Sequence, residues 1–171
     1  MQTEVSIIDN FDDVLSANKN FASSFTSEEL TGTAVKGLAI ITCMDSRLDP
    51  LRIVGMRSGD AKILRNAGAR VTDDVLRTLV LATHLLGVNR VLLMPHTDCR
   101  MASTDQAGIH AAISLSSGVD TRSLDFQTTD DQVSSLREDI VKIESYPLLH
   151  DEVRVMGAIY DVKSGLLRAI G

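Results

Sequence analysis

The chain has two cysteines, and each lies in a short motif that could do chemistry. Cys43-Met44-Asp45-Ser46-Arg47 carries a thiol, a carboxylate and a guanidinium, and His96-Thr97-Asp98-Cys99 puts an imidazole three residues before the second thiol. Two thiolates and an imidazole form a zinc ligand set one short of a closed tetrahedron. The thiolates would neutralise Zn²⁺, and a water in the fourth position would be acidified enough to supply hydroxide near neutral pH. Asp45 and Arg47 are two positions apart, so an extended turn places them on one side, where a bidentate ion pair can form. Beside zinc, Asp45 could orient a bound hydroxide by accepting its hydrogen bond. Alternatively it could bind the metal itself as the fourth ligand and expel the water. Arg47 would decide between the two by holding the carboxylate away. A plainer reading stays open on spacing alone: both cysteines as small buried hydrophobes, His96 as a hydrogen-bonded strand-end residue, and Asp45–Arg47 as an ordinary ion pair. One cysteine plus one His-x-x-Cys is a weaker signal than two Cys-x-x-Cys pairs.

These residues need elements to position them. Gly37 to Thr42 is a short apolar run rich in β-branched residues, which predicts a strand buried on both faces with Cys43 at its carboxyl end. Pro50 to Met56 reads as a short helix, and Ala61 to Arg65 as a second strand. Arg65-Asn66-Ala67-Gly68 then forms a tight loop. Gly68 would let the backbone approach a ligand at a helix end suited to an anion, although a simple strand-to-helix turn explains the same residues. Thr72 is the expected N-cap of a helix through Leu86 that stops at Gly87, with Asp73 and Asp74 at its positive end. Arg90 to Pro95 is a third strand and delivers His96. Helices are expected over Thr104–Leu115 and Asp130–Tyr146, the second with Val133, Leu136, Ile140 and Ile143 on one face. Glu152–Tyr160 and Leu166–Ile170 flank Lys163-Ser164-Gly165 as a C-terminal β-hairpin. The N-terminal stretch has a loose helical pattern over Phe11–Leu30 that stops at Gly32.

The fold class expected is α/β, a mostly parallel central sheet flanked by helices on both faces. Ligands of such sheets bind beyond the carboxyl ends of the strands, where Cys43 and His96 both fall. The 171 residues suffice for one domain, residues 1–171, with residues 1–32 as an N-terminal helical arm. The remaining histidines, His84, His110 and His150, have no ligand-type neighbours at useful spacing, and the methionines read as packing residues.

Composition removes several function classes. With no Trp, 4% aromatics and a formal charge of -6, the chain lacks base-stacking platforms and the positive charge a phosphate backbone needs. No run reaches the ~18 apolar residues of a membrane span, and the acidic start is unlike a secretory signal. A cytoplasmic location is expected, where two cysteines act as ligands or catalysts rather than as a disulfide.

Taken together, Cys43-Met44-Asp45-Ser46-Arg47, Arg65-Asn66-Ala67-Gly68 and His96-Thr97-Asp98-Cys99 resemble the β-class carbonic anhydrases, in particular their short bacterial and archaeal branch. The similarity runs from about Lys36 to Met101 and touches the Tyr160–Gly165 turn. The resemblance implies one Zn²⁺ per subunit on Cys43, His96 and Cys99, with Asp45 and Arg47 as the catalytic dyad. It implies reversible hydration of CO₂ to bicarbonate and a proton by zinc-bound hydroxide. It further implies a homodimer or larger homo-oligomer, with the N-terminal arm embracing a second subunit. Two alternatives accompany it: a CS₂ or COS hydrolase on the same fold, and a non-catalytic zinc protein with a closed Cys₂HisAsp site. The family usually has Gly after the second cysteine, whereas this chain has Arg100, which could distort the turn, point outward, or add charge near the site.

Overall fold

The computed structural model describes residues 11–26 and 30–171. The chain falls into two compact units, Met1–Leu30 and Thr31–Gly171. The first holds helix α1, Asp12–Ser24, with Asp12 and Asp13 in its first turn and no buried residue. Phe11, Val14, Leu15, Phe21 and Phe25 are all exposed. The expected helix to Leu30 is shorter because Phe25 turns to extended backbone (φ -73, ψ 117). The hydroxyls of Ser23 and Ser24 bond back to the carbonyls of Asn20 and Phe21, as serines at a fraying end do. The rest of that segment, Ser27–Glu29, and the first ten residues lie outside the described residues.

The second unit is built on five strands: β1 (Leu38–Cys43), β2 (Ala61–Asn66), β3 (Arg90–Met94), β4 (Arg154–Tyr160) and β5 (Leu167–Ile170). Their order is β2-β1-β3-β4-β5. β1 pairs in parallel with both β2 and β3, β3 in parallel with β4, and only β5 runs antiparallel, closing the C-terminal hairpin. All six residues of β1 are buried, which is why its sequence is apolar without alternation.

One face of the sheet is covered by α3 (Asp73–Leu85) and α5 (Gln132–Glu144), whose Val75, Leu79, Leu136 and Ile143 pack on Ala39, Ile41, Val91 and Leu93. The other face packs Leu38, Ile40, Leu92 and Met94 against Ile53, Val54 and Met56, at the end of α2 (Pro50–Ile53) and just beyond it. α2 is shorter than its expected span to Met56 because Gly55 adopts φ 66. Caps set the other helix ends. Thr72 accepts from the Val75 N–H as expected, while α4 (Gln106–Ser117) is capped by Asp105 and α5 by Asp131. Both of these helices therefore start a residue or two after their expected starts. Among the described residues no helix is long and apolar enough to cross a membrane.

Candidate metal centre

The strand order creates the crevice that holds the site. From β1 the chain passes outward to β2 and then returns across to β3 on the other side. The carboxyl ends of β1 and β3 thus lie side by side at a point where the winding reverses, the usual ligand position in an open α/β sheet. The Thr42 hydroxyl donates to the Met94 carbonyl at 2.7 Å and ties the two strands beneath it. Cys43 ends β1, and His96 follows β3, bridged to Tyr160 at the end of β4.

The sulfurs of Cys43 and Cys99 lie 4.0 Å apart, and one ligand atom each from Cys43, His96 and Cys99 falls within 4.8 Å of the others. All three side chains are buried. His96 Nδ1 lies 2.8 Å from the Thr97 carbonyl. A carbonyl only accepts, so Nδ1 carries the proton and neutral His96 turns its lone pair at Nε2 toward the sulfurs. Among the described residues, Nε2 is the buried side-chain polar atom left without a hydrogen bond. A buried orphan nitrogen converging with two thiol sulfurs is what a soft tetrahedral cation such as Zn²⁺ requires.

Electrostatics agree with that fit. The Cys43 thiol is lowered to about 3, first by hydrogen bonding from Cys99, against the opposing effect of burial, and then by His96 and the backbone N–H groups of Gly68 and Asp45. Cys99 is pushed up by the Cys43 charge and by burial. Burial is the largest single influence on His96 and disfavours its cation. The neighbouring Cys43 thiolate, the Thr97 carbonyl and the Asp45 carboxylate together outweigh it and raise the imidazole. The cluster therefore attracts positive charge, which a proton or a metal ion can supply.

Asp45 stands at the rim. Its Oδ1 accepts from Arg47 N and Nε, both at 2.9 Å, and its Oδ2 from Arg47 Nη2 at 2.7 Å. Oδ2 lies 3.7 Å from His96 Nε2, outside hydrogen-bonding distance. These bonds from Arg47, before any other influence, hold the Asp45 carboxyl well below the usual range. The expected Asp45–Arg47 pair is thus formed, with the carboxylate turned onto the guanidinium.

Four supports were not singled out from the sequence. Arg65 gathers the turn after β1 by donating to the carbonyls of Cys43, Asp45 and Leu48. Asn66 accepts from the Arg70 N–H at 2.9 Å and donates to the Arg70 carbonyl at 2.7 Å, closing a ring around Ala67–Ala69. Gly68 inside that ring has φ 80, and a Cβ there would lie 3.1 Å from Met101 Cβ. Glycine is needed for both reasons, and the turn it permits presents an N–H to Cys43. Gln132 donates to the His96 carbonyl at 2.9 Å, and Asp98 holds the far edge of Arg47 at 2.7 Å. Arg65 is visible in the sequence only as part of a loop motif, because the carbonyls it binds are remote in sequence.

Arg100 is exposed and opens a short 3₁₀ turn, Arg100–Ala102. The left-handed residue of this segment is Asp98 (φ 57), so the backbone does not require glycine at position 100. His84 and His150 stack with ring centroids 4.0 Å apart, and neither belongs to the Cys43–His96–Cys99 cluster.

Residues 38–119 fit the family model described as carbonic anhydrase. Beta-carbonic anhydrase 1 of Mycobacterium tuberculosis is 35% identical over 159 residues, covering 93% of this chain and 96% of its own. A carbon disulfide hydrolase of Acidianus sp. is 30% identical over 156 residues, covering 77% and 76%. The crystal structure of a carbonic anhydrase from Streptococcus mutans superposes with a TM-score of 0.88 at 37% identity, covering 94% of this chain and 97% of that one. At that similarity over nearly the full length of both partners, the chain belongs to the β-carbonic anhydrase family.

Proposed function

We propose that the protein is a zinc-dependent carbonate dehydratase, a lyase that interconverts CO₂ and bicarbonate. The observation that carries this reading is the buried, unpartnered Nε2 of His96 facing two thiol sulfurs, beside a carboxylate locked onto an arginine. Cys43, His96 and Cys99 would hold the metal. Bound there, zinc supplies the Lewis acidity that makes hydroxide available from water near neutral pH.

The chain's own residues do the rest. An ionised carboxylate only accepts hydrogen bonds. An attacking oxygen beside Asp45 must therefore turn its hydrogen toward the carboxylate and its lone pair toward the carbon of CO₂. The same rule filters the product: bicarbonate is repelled by Asp45 unless its own O–H points there. Arg47 keeps Asp45 ionised and fixed in this role. The closed Cys₂HisAsp alternative would require Asp45 to leave three hydrogen bonds from Arg47, which favours the open arrangement. We also propose self-association, because α1 and its cap residues expose Phe11, Phe21 and Phe25, three large apolar side chains, among the described residues.

The test is stopped-flow CO₂ hydration with zinc content measured on the same sample. Full zinc occupancy without hydration from mildly acidic to mildly alkaline pH would overturn the assignment. Hydrogen sulfide release from CS₂ in that sample would move it to the carbon disulfide hydrolase relatives.

A further inference from the structure

We propose that Asp98 is a positioning residue: it grips Arg47 from the edge opposite Asp45, and so keeps the Asp45 carboxylate turned away from the metal position. This rests on the zinc carbonate dehydratase reading above. Arg47 donates from Nε and Nη2 to Asp45 on one edge. On the other edge it donates from Nη1 to Asp98 Oδ2 at 2.7 Å and from Nη2 to the Asp98 carbonyl at 3.1 Å. A guanidinium held along one edge can still swing about its Cδ–Nε bond and carry its partner with it. Held along both edges, it is fixed. Because Asp98 lies between His96 and Cys99, the clamp and two of the three ligand residues share one turn and keep their spacing together.

The backbone supplies a second, independent observation. Asp98 adopts φ 57, the left-handed region that glycine occupies most easily and that Asp and Asn enter more readily than other side chains. Its side chain is 69% exposed, so packing does not explain an aspartate there. Among the described residues its carboxylate has one hydrogen-bonding partner, Arg47. The chain thus keeps a carboxylate at a position where glycine would be easier to fold, and the clamp on Arg47 is what that carboxylate provides.

Asp98→Gly relieves the backbone and removes the carboxylate arm of the clamp, leaving only the longer bond to the backbone carbonyl, and Asp98→Asn keeps a tolerant backbone residue with one acceptor oxygen. In the zinc-loaded wild type, side-chain ¹⁵N NMR should show hindered Arg47 Nη rotation. In Asp98→Gly the Nη signals should average, and a crystal structure of that zinc-loaded variant should find Asp45 ligating the metal. CO₂ hydration should fall roughly 10- to 100-fold at unchanged zinc content, with Asp98→Asn in between. An Asp98→Gly protein with wild-type Arg47 signals and wild-type hydration overturns the clamp. If the zinc-loaded wild type itself fails to hydrate CO₂, the functional reading falls and the Arg47 signals alone decide. Hindered rotation lost in Asp98→Gly then supports the clamp, and unchanged signals overturn it.

Discussion

Replacing Asp139 with alanine should be among the most damaging single changes outside the metal cluster. Asp139 sits on α5 at 5% exposure, where its Oδ2 accepts from Arg70 Nε at 2.7 Å and from the Val71 N–H at 3.3 Å. Its Oδ1 accepts from Arg70 Nη2 at 3.4 Å. The Arg70 side chain is itself only 17% exposed. Truncation would leave a guanidinium largely out of water with the Gln127 carbonyl, at 3.2 Å, as its remaining side-chain partner, and would strand the Val71 N–H. Breaking one half of a buried pair in this way costs about 3–5 kcal/mol. For a unit of this size that corresponds to a fall in Tm on the order of 10 °C. The effect should reach the site, because Arg70 closes the Asn66 ring that shapes the Gly68 turn. Urea unfolding followed by circular dichroism measures the loss. A double variant, Arg70→Met with Asp139→Leu, should recover most of it, short of roughly 1 kcal/mol for the stranded Val71 N–H. A cost below about 1 kcal/mol for Asp139→Ala, or a double variant as unstable as the single one, would refute the buried-charge reasoning.

Asp45→Asn should lower kcat for CO₂ hydration by about 10²-fold or more at unchanged zinc content, since a neutral amide can donate and no longer dictates which way the attacking oxygen faces. Wild-type rates in that variant would remove Asp45 from the chemistry. Arg47 depresses the Asp45 carboxyl below its unfolded value of ~3.9, so the pair's stabilisation is complete above about pH 4 and is lost as pH falls through the lower folded value. By ¹³C NMR the Asp45 carboxyl should therefore show no protonation step of its own, with the full change of a titrating carboxyl, from about pH 5 to 9, and such a step inside that window would contradict the ion-pair geometry. Gly68→Ala should weaken zinc retention against a chelator, because it forces a side chain into φ 80 and against Met101 and moves the N–H facing Cys43. Gly165→Ala, at φ 75 with open space around it, imposes similar strain in the hairpin turn and should leave zinc retention unchanged.

How much of this was legible in the sequence depended on the range of each interaction. β1 could be read because a strand buried on both faces is apolar without alternation, and Leu38–Ile41 is, with Thr42 following as a polar residue whose hydroxyl finds the Met94 carbonyl. Thr72 could be read as a cap because its bond to Val75 is local. Asp45–Arg47 was legible for the same reason, being two residues apart. By contrast, the roles of Arg65, Gln132 and Asp139 are carried by hydrogen bonds to residues far along the chain. No spacing rule reaches them, and an isolated Arg, Gln or Asp in a helix or strand looks like a solvated surface residue. Asp98 reads in the sequence only as an intervening residue of His-x-x-Cys, because neither its left-handed backbone nor its reach to Arg47 leaves a pattern in composition or periodicity. The end of α1 is not legible in the sequence because the loose helical pattern continues past Ser24, whereas the backbone turns extended at Phe25.

The placement of Cys43 at the end of β1 and of His96 and Cys99 just after β3 also bears on the order in which the molecule assembles. Thr42 and Met94, which close the floor of the site, are 52 residues apart, and β2 and α3 both lie between the strands they join. The ligand cluster therefore does not exist in any local segment of the chain. It forms only when the non-local parallel pairing at the centre of the sheet has formed, a slow class of event in folding. On the zinc reading proposed above, the metal would act late, on a sheet already zipped, as a staple across two adjacent strands rather than as a template that nucleates them. Metal loss should accelerate unfolding far more than it slows refolding, the behaviour of an interaction absent from the transition state.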